Sequence, residues 1–204
     1  MNDISDMGGC LPLNTVLGDM RRHGLNTPLD RVMVSVPGAK AVVTAYFEHF
    51  LSDGEQRFTW LPEYDEVAEW LGDNKGRGLF LYGNCGRGKS MLARNVIPAI
   101  LFAYHNKVVT VADVSDMNRD LDTLLQKHII ALDDIGTESV SVVYGNKRLA
   151  FAEVMDAAEK YGKLIIVTSN LRKEEIIARY GMRIFDRIIS TTKRVEFKGL
   201  SLRR

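Results

Sequence analysis

The sequence predicts an α/β fold in which a parallel sheet is covered by helices on both faces. Two observations carry that expectation. Five short apolar runs follow Gly78, at residues 79–82, 108–112, 129–132, 164–168 and 195–197. Segments of helical spacing separate them, at 89–104, 114–127, 146–161 and 172–190. Apolar strands alternating with helices imply a parallel sheet with helices on both faces. Such strands are buried on both faces, so they read as continuous apolar runs rather than as alternating patterns.

The chain before the first strand is mixed. Residues 1–56 are expected to form a small helical segment that could bind a partner, and residues 57–204 the main domain. A polar start, MNDISDMGGC, precedes a break at Val36-Pro37-Gly38 and a helical stretch over 39–51. In that stretch Val42, Tyr46, Phe50 and Val43, Phe47 recur at three- and four-residue spacing and form one apolar face. Such an aromatic stripe reads as core packing. Residues 58–78 form a bridge with a short helix starting at Pro62, whose Val67, Ala68 and Leu71 face inward.

Composition sets limits. With 204 residues, 46% hydrophobic and 26% charged, the chain is neither disordered nor membrane-spanning, since no apolar run approaches the roughly 18 residues a bilayer requires. The start lacks the basic and apolar regions of a secretory signal, so a reduced, cytoplasmic protein is expected. Two cysteines, Cys10 and Cys85, make neither a disulfide framework nor a four-ligand zinc site.

The first apolar run leads into Gly83-Asn84-Cys85-Gly86-Arg87-Gly88-Lys89-Ser90, followed by Met91. This is the G-x-x-x-x-G-K-[ST] phosphate loop, in its required place between a strand and a helix. Gly83, Gly86 and Gly88 let the backbone turn successive N–H groups toward a phosphate chain. The helix from Lys89 aims its positive end at the same charge. Lys89 suits the β- and γ-phosphates and the Ser90 hydroxyl a Mg²⁺ ion. Neither Cys85 nor Arg87, at variable positions, is expected to be catalytic.

An acidic partner should stand at the end of a neighbouring strand. The run 129–132 ends in Asp133-Asp134, the pattern of a Walker B segment. Asp133 would join Ser90 in the metal shell, and Asp134 would polarise an attacking water. Adjacent strand residues point to opposite faces, so the pair must lie where the backbone turns. Two carboxylates here, with no lid insertion after the phosphate-loop helix, favour a hydrolase over a small-molecule kinase.

Together with Val167-Thr168-Ser169-Asn170 and Tyr180-Gly181-Met182-Arg183-Ile184-Phe185-Asp186-Arg187-Ile188, these motifs resemble the DnaC/DnaI/IstB group of AAA+ ATPases over residues 58–204. Tyr144-Gly145 and Gly199-Leu200-Ser201-Leu202-Arg203 add weaker agreement. The resemblance implies a P-loop ASCE/AAA+ core with five parallel strands in the order 5-1-4-3-2 and no C-terminal lid domain. It makes Asn170 the polar sensor between the two Walker strands. Arg183 becomes the arginine finger offered to a neighbouring protomer, with Arg187 as the runner-up. It implies Mg·ATP as ligand, a ring or spiral homo-oligomer, and the loading of a DnaB-type replicative helicase on single-stranded DNA during DNA replication. Near the adenine, Trp60, Leu61 and Tyr64 are the candidates. No N-K-x-D motif reads guanine.

The departures are the absence of a zinc-ligand pattern before residue 57 and the short stretch 113–128, with room for one helix where initiator-type members have two. An IstB-like transposition helper, or an ATP-binding assembly protein that hydrolyses poorly, would carry the same motifs. The net charge of +1 hides an asymmetry: residues 171–204 hold ten Lys/Arg against four Asp/Glu. That basic end is a candidate for contacts with an anionic partner or between subunits.

Overall fold

The computed structural model describes residues 11–25, 30–52, 57–113, 117, 119–137, 141–143, 146–148 and 150–202, with the backbone alone at 141–143 and 146–148. The expectations for residues 1–10, including Cys10, for Tyr144-Gly145 and for Arg203 lie outside these. The chain divides into two compact units, Met1–Asp30 and Arg31–Arg204. In the first, α1 (Leu13–Arg22) ends in Arg21 and Arg22, cations suited to a helix C-terminus.

The second unit is built on a five-stranded parallel sheet. Its strands are β1 (Gly78–Gly83), β2 (Thr110–Asp113), β3 (Ile129–Ile135), β6 (Leu164–Ser169) and β7 (Thr192–Phe197), ordered β2-β3-β6-β1-β7. Counted within the sheet, that is the expected order 5-1-4-3-2. The runs in β1, β3 and β6 are continuous because these inner strands feed two cores, whereas the edge strand β7 alternates and turns Val195 and Phe197 to one core. Leu79, Leu81 and Ile166 face one side, against α2 (Ala39–Leu51), α3 (Pro62–Gly72) and the helix after β1. Phe80, Ile165 and Val167 face the other, against α7 (Ala150–Tyr161), α8 (Lys173–Tyr180) and α9 (Met182–Thr191). The aromatic stripe of α2 splits accordingly: Val43 and Phe47 are buried in the first core, and Val42, Tyr46 and Phe50 pack against it half-buried.

The helix after β1 is one rod in three parts: α4 (Lys89–Met91), a π-helical turn (Leu92–Val96) and α5 (Ile97–His105). Pro98 brings no N–H to the Arg94 carbonyl four residues back, and the helix widens there instead of breaking.

Three segments depart from the sequence expectation. Residues 146–161 are not one helix: β5 (Asn146–Arg148) pairs antiparallel with β4 (Ser141–Val143), and α7 starts at Ala150. β-branched Val142 and Val143 favour the extended form. Residues 172–190 are two helices, because Gly181 adopts φ 84° and turns the chain between Tyr180 and Met182. Between β2 and β3 the 114–127 pattern is not one helix: Met117 is helical, the chain turns at Arg119 and Asp120, and α6 covers Leu121–Leu125. No helix among the described residues is long and apolar enough to cross a membrane.

Candidate functional site

In an open parallel sheet the C-terminal strand ends form a natural ligand crevice. Here β1, β3 and β6 deliver the phosphate loop, the Asp pair and Asn170 to the same end. Pairing of β6 between β1 and β3 puts Asn170 between the other two. A cleft of about 1280 Å³ is lined by Cys85, Gly86, Gly88, Lys89, Ser90 and Met91 from the loop and by Asp133, Asp134, Thr168 and Asn170 from the strand ends. A smaller cavity of about 630 Å³ at the opposite strand ends, beside His128 and Lys163, holds none of these residues.

The phosphate loop takes the expected form. Gly83, Gly86 and Gly88 have φ of 110°, 71° and 85°. Two of them also answer to close neighbours. A Cβ on Gly83 would stand 2.4 Å from the Phe197 carbonyl oxygen of β7, and one on Gly88 2.4 Å from the Tyr64 hydroxyl. The Lys89 ammonium, on a residue only 6% exposed, donates to the carbonyls of Gly83 (2.9 Å) and Asn84 (2.7 Å), which keeps it across the loop mouth.

The Asp pair lies where β3 bulges. Register with β6 is lost between Leu132 and Ile135, and Asp134 takes φ 61°. That left-handed residue breaks the strand's alternation and lets both carboxylates reach the cleft. The backbone thus turns at the pair as expected, and the strand resumes at Ile135, paired with Ser169. One hydroxyl orders the group. Thr168 Oγ1 donates to Asp133 Oδ1 (2.6 Å) and accepts the Asp134 N–H (2.7 Å). The Asn170 amide donates to Asp134 Oδ1 (2.6 Å). Thr168 is quoted in the sequence motif without a role; its register opposite Leu81 and its bonds emerge only in the fold.

Two loop side chains turn away from the cleft. Arg87, buried, forms a paired salt bridge with buried Glu63 of α3 (Nε–Oε1 2.9 Å, Nη2–Oε2 3.1 Å) and donates to the Leu200 carbonyl. The Asn84 amide donates to the Gly199 carbonyl (2.8 Å), and the Leu202 N–H donates to the Gly86 carbonyl (2.9 Å). Residues 198–202 therefore strap the phosphate loop, and Ser201 and Leu202 complete the cleft wall. Arg87 and Asn84 serve the loop's shape through their side chains and can meet phosphate only through their backbone.

Of the three adenine candidates, Tyr64 lines the cleft. Its ring stacks on Phe47 and Phe58 (centroids 5.0 and 6.0 Å), and its hydroxyl, which burial makes a weaker acid than usual, donates to the Arg87 carbonyl. Leu61 is buried in the core, and Trp60 stacks under Lys40 and donates to Asp65. The wall is supplied instead by Phe47 and Leu51 of α2 and by Arg57, Phe58 and Thr59. Arg94 and Asn95, from the π-helical turn, also line the cleft. Arg94 bonds to Asp113, which raises the guanidinium's already high pKa further.

Arg183 and Arg187 stand apart from this cleft, on α9 against α7. Arg183 is 71% exposed with one contact to Asp156 at 3.2 Å. Arg187 is 21% exposed and held by both Asp156 and Glu159 of α7. The runner-up is thus an intrachain strut, bound to α7.

No protein-family profile and no curated protein matches the sequence. Solved structures do match the fold. The DnaC helicase loader superimposes with a TM-score of 0.56 at 17% identity, covering 71% of this chain and 95% of that one. DnaI gives 0.54 at 19%, covering 81% and 96%. A DNA replication initiation factor gives 0.50 at 16%, covering 70% and 48%. The parallel strand order, with the loop after β1 and the Asp pair at the bulge of β3, gives this chain the fold seen in the DnaC and DnaI structures.

Proposed function

We propose that the chain is a Mg²⁺-dependent ATPase that loads or remodels a DnaB-type replicative helicase on single-stranded DNA. The observation that carries the ATPase reading is the hydrogen-bonded chain Asp133–Thr168–Asp134–Asn170 facing Lys89 and Ser90 across one cleft. The residues fit Mg·ATP. The loop presents N–H groups and a buried ammonium to the phosphates, while Ser90 and Asp133 offer the hard oxygen donors that Mg²⁺ takes. When bound, the metal supplies charge stabilisation on the phosphate oxygens. Thr168 holds Asp133 in its rotamer. Asn170 fixes Asp134, whose carboxylate accepts a proton from water on the open side. Arg183, exposed and outside its own cleft, is the finger that completes the site of the next protomer in a ring or spiral.

The helicase-loading reading is supported by the shared fold with DnaC and DnaI. Residues 1–56 are proposed as the partner-binding attachment, with α2 rooting it in the ATPase core. Lys89→Ala should abolish turnover, a loss of at least about 10²-fold, and weaken nucleotide binding; unchanged turnover would sink the assignment. For the partner, full-length protein with ATP should retain a replicative helicase on size exclusion and place it on circular single-stranded DNA. Capture of a transposase instead would move the reading to a transposition helper.

A further inference from the structure

One cleft residue has no task in the reaction just described. Arg94 sits on the π-helical turn that Pro98 imposes, and its Nη1 bonds Asp113 at the end of β2 and lies 3.6 Å from Asp133 Oδ2. Asp113 and Asp133 are register partners on adjacent parallel strands, so two carboxylates stand side by side at the sheet end with one guanidinium serving both. Asp133 Oδ1 accepts from Thr168, and Oδ2 is the oxygen that faces Arg94. A divalent cation arriving alone meets a fixed positive charge there, with Lys89 across the loop. A cation arriving with a nucleotide brings phosphate charge that offsets both.

We propose that Arg94 is the site's internal counter-ion: it neutralises Asp113 and Asp133 while the cleft is empty, so that the cleft accepts a divalent cation only together with nucleotide phosphates. The inference rests on the reading of Asp133 as the metal-side carboxylate. A π-turn at this point in the helix sets the arginine over the strand ends, a placement in keeping with the frequent use of such turns at functional sites.

The test is Mn²⁺ binding followed by electron paramagnetic resonance, on the full chain, without nucleotide and then with ATP. Wild type should leave Mn²⁺ free until ATP is added. Arg94→Gln and Arg94→Ala should bind nucleotide-free Mn²⁺ at least about tenfold more tightly than wild type. Arg94→Lys should keep the exclusion, and Asp113→Asn added to Arg94→Gln should abolish the gain. The glutamine variant keeps a hydrogen-bonding side chain, so it reports even if the alanine variant does not fold. Two results overturn the proposal while leaving the ATPase site standing. One is nucleotide-free Mn²⁺ binding by wild type as tight as by Arg94→Gln. The other is no gain in either variant while Mn·ATP still binds. Failure of wild type to bind Mn·ATP at all brings down the nucleotide reading, and this inference with it.

Discussion

At the scale of single residues, Thr168 does more than its small side chain suggests. Its hydroxyl joins both halves of the Asp pair, so Thr168→Val leaves Asp133 Oδ1 without its donor and frees the Asp134 backbone. Turnover should fall about 10–100-fold, as for partners that orient metal ligands, with nucleotide affinity nearly unchanged; equilibrium titration beside steady-state kinetics checks the split. Cys85 is exposed in the cleft wall. In a Cys10→Ser background, alkylation of Cys85 should block nucleotide binding by bulk, and saturating ATP should slow the labelling. Mass spectrometry with and without ATP reads both. Equal labelling in the two conditions would place the nucleotide elsewhere.

At the scale of elements, the phosphate loop is shaped by its neighbours as much as by its own glycines. Glu63 at the start of α3 pairs with Arg87 and also accepts the Lys198 N–H (2.9 Å), so one buried carboxylate joins helix, loop and strap. Removing one member of a buried pair leaves an uncompensated charge, at a cost of about 3–5 kcal/mol. Arg87→Ala or Glu63→Ala should therefore lower the unfolding midpoint in urea sharply and loosen nucleotide binding, although neither side chain reaches the cleft. The two arginines of α9 separate by the same logic. Arg187→Ala should destabilise more, since it removes ties to both Asp156 and Glu159 and leaves Asp156 only Arg183, whereas Arg183→Ala should leave the unfolding free energy within about 0.5 kcal/mol, as for an exposed pair.

At the scale of the whole molecule, the proposed function joins catalysis and assembly through Arg183. An arginine supplied across an interface is worth about 10³–10⁵ in rate, so specific activity should rise with protein concentration and with single-stranded DNA. Mixing Arg183→Ala with Lys89→Ala protomers tests this. Each should be inactive alone, and the mixture should recover activity at interfaces that pair an intact finger with an intact loop. No recovery at any ratio would refute the finger. Negligible activity at every concentration would favour a scaffold that binds ATP without turning it over.

The parallel sheet, the loop after β1 and the Asp pair were legible in the amino-acid order, because each depends on local chemistry, whereas the strand order and the place of Asn170 came from the resemblance to the DnaC/DnaI/IstB group. Glycines turn the loop, apolar runs need burial on both faces, and an Asp pair needs a turn. The two helices at 172–190 and the hairpin before α7 were not, since helical spacing continues through Gly181 and into Asn146 and only φ and cross-strand pairing break it. Contacts far apart in the chain were hidden for a related reason. Thr168 on Asp133, Arg87 on Glu63, Arg94 on Asp113 and α2 on the cleft wall join residues 19 to 35 positions apart or whole separate elements. Which donor meets which carboxylate is settled by the strand register and the π-turn, and these exist only once the sheet and its helices have packed.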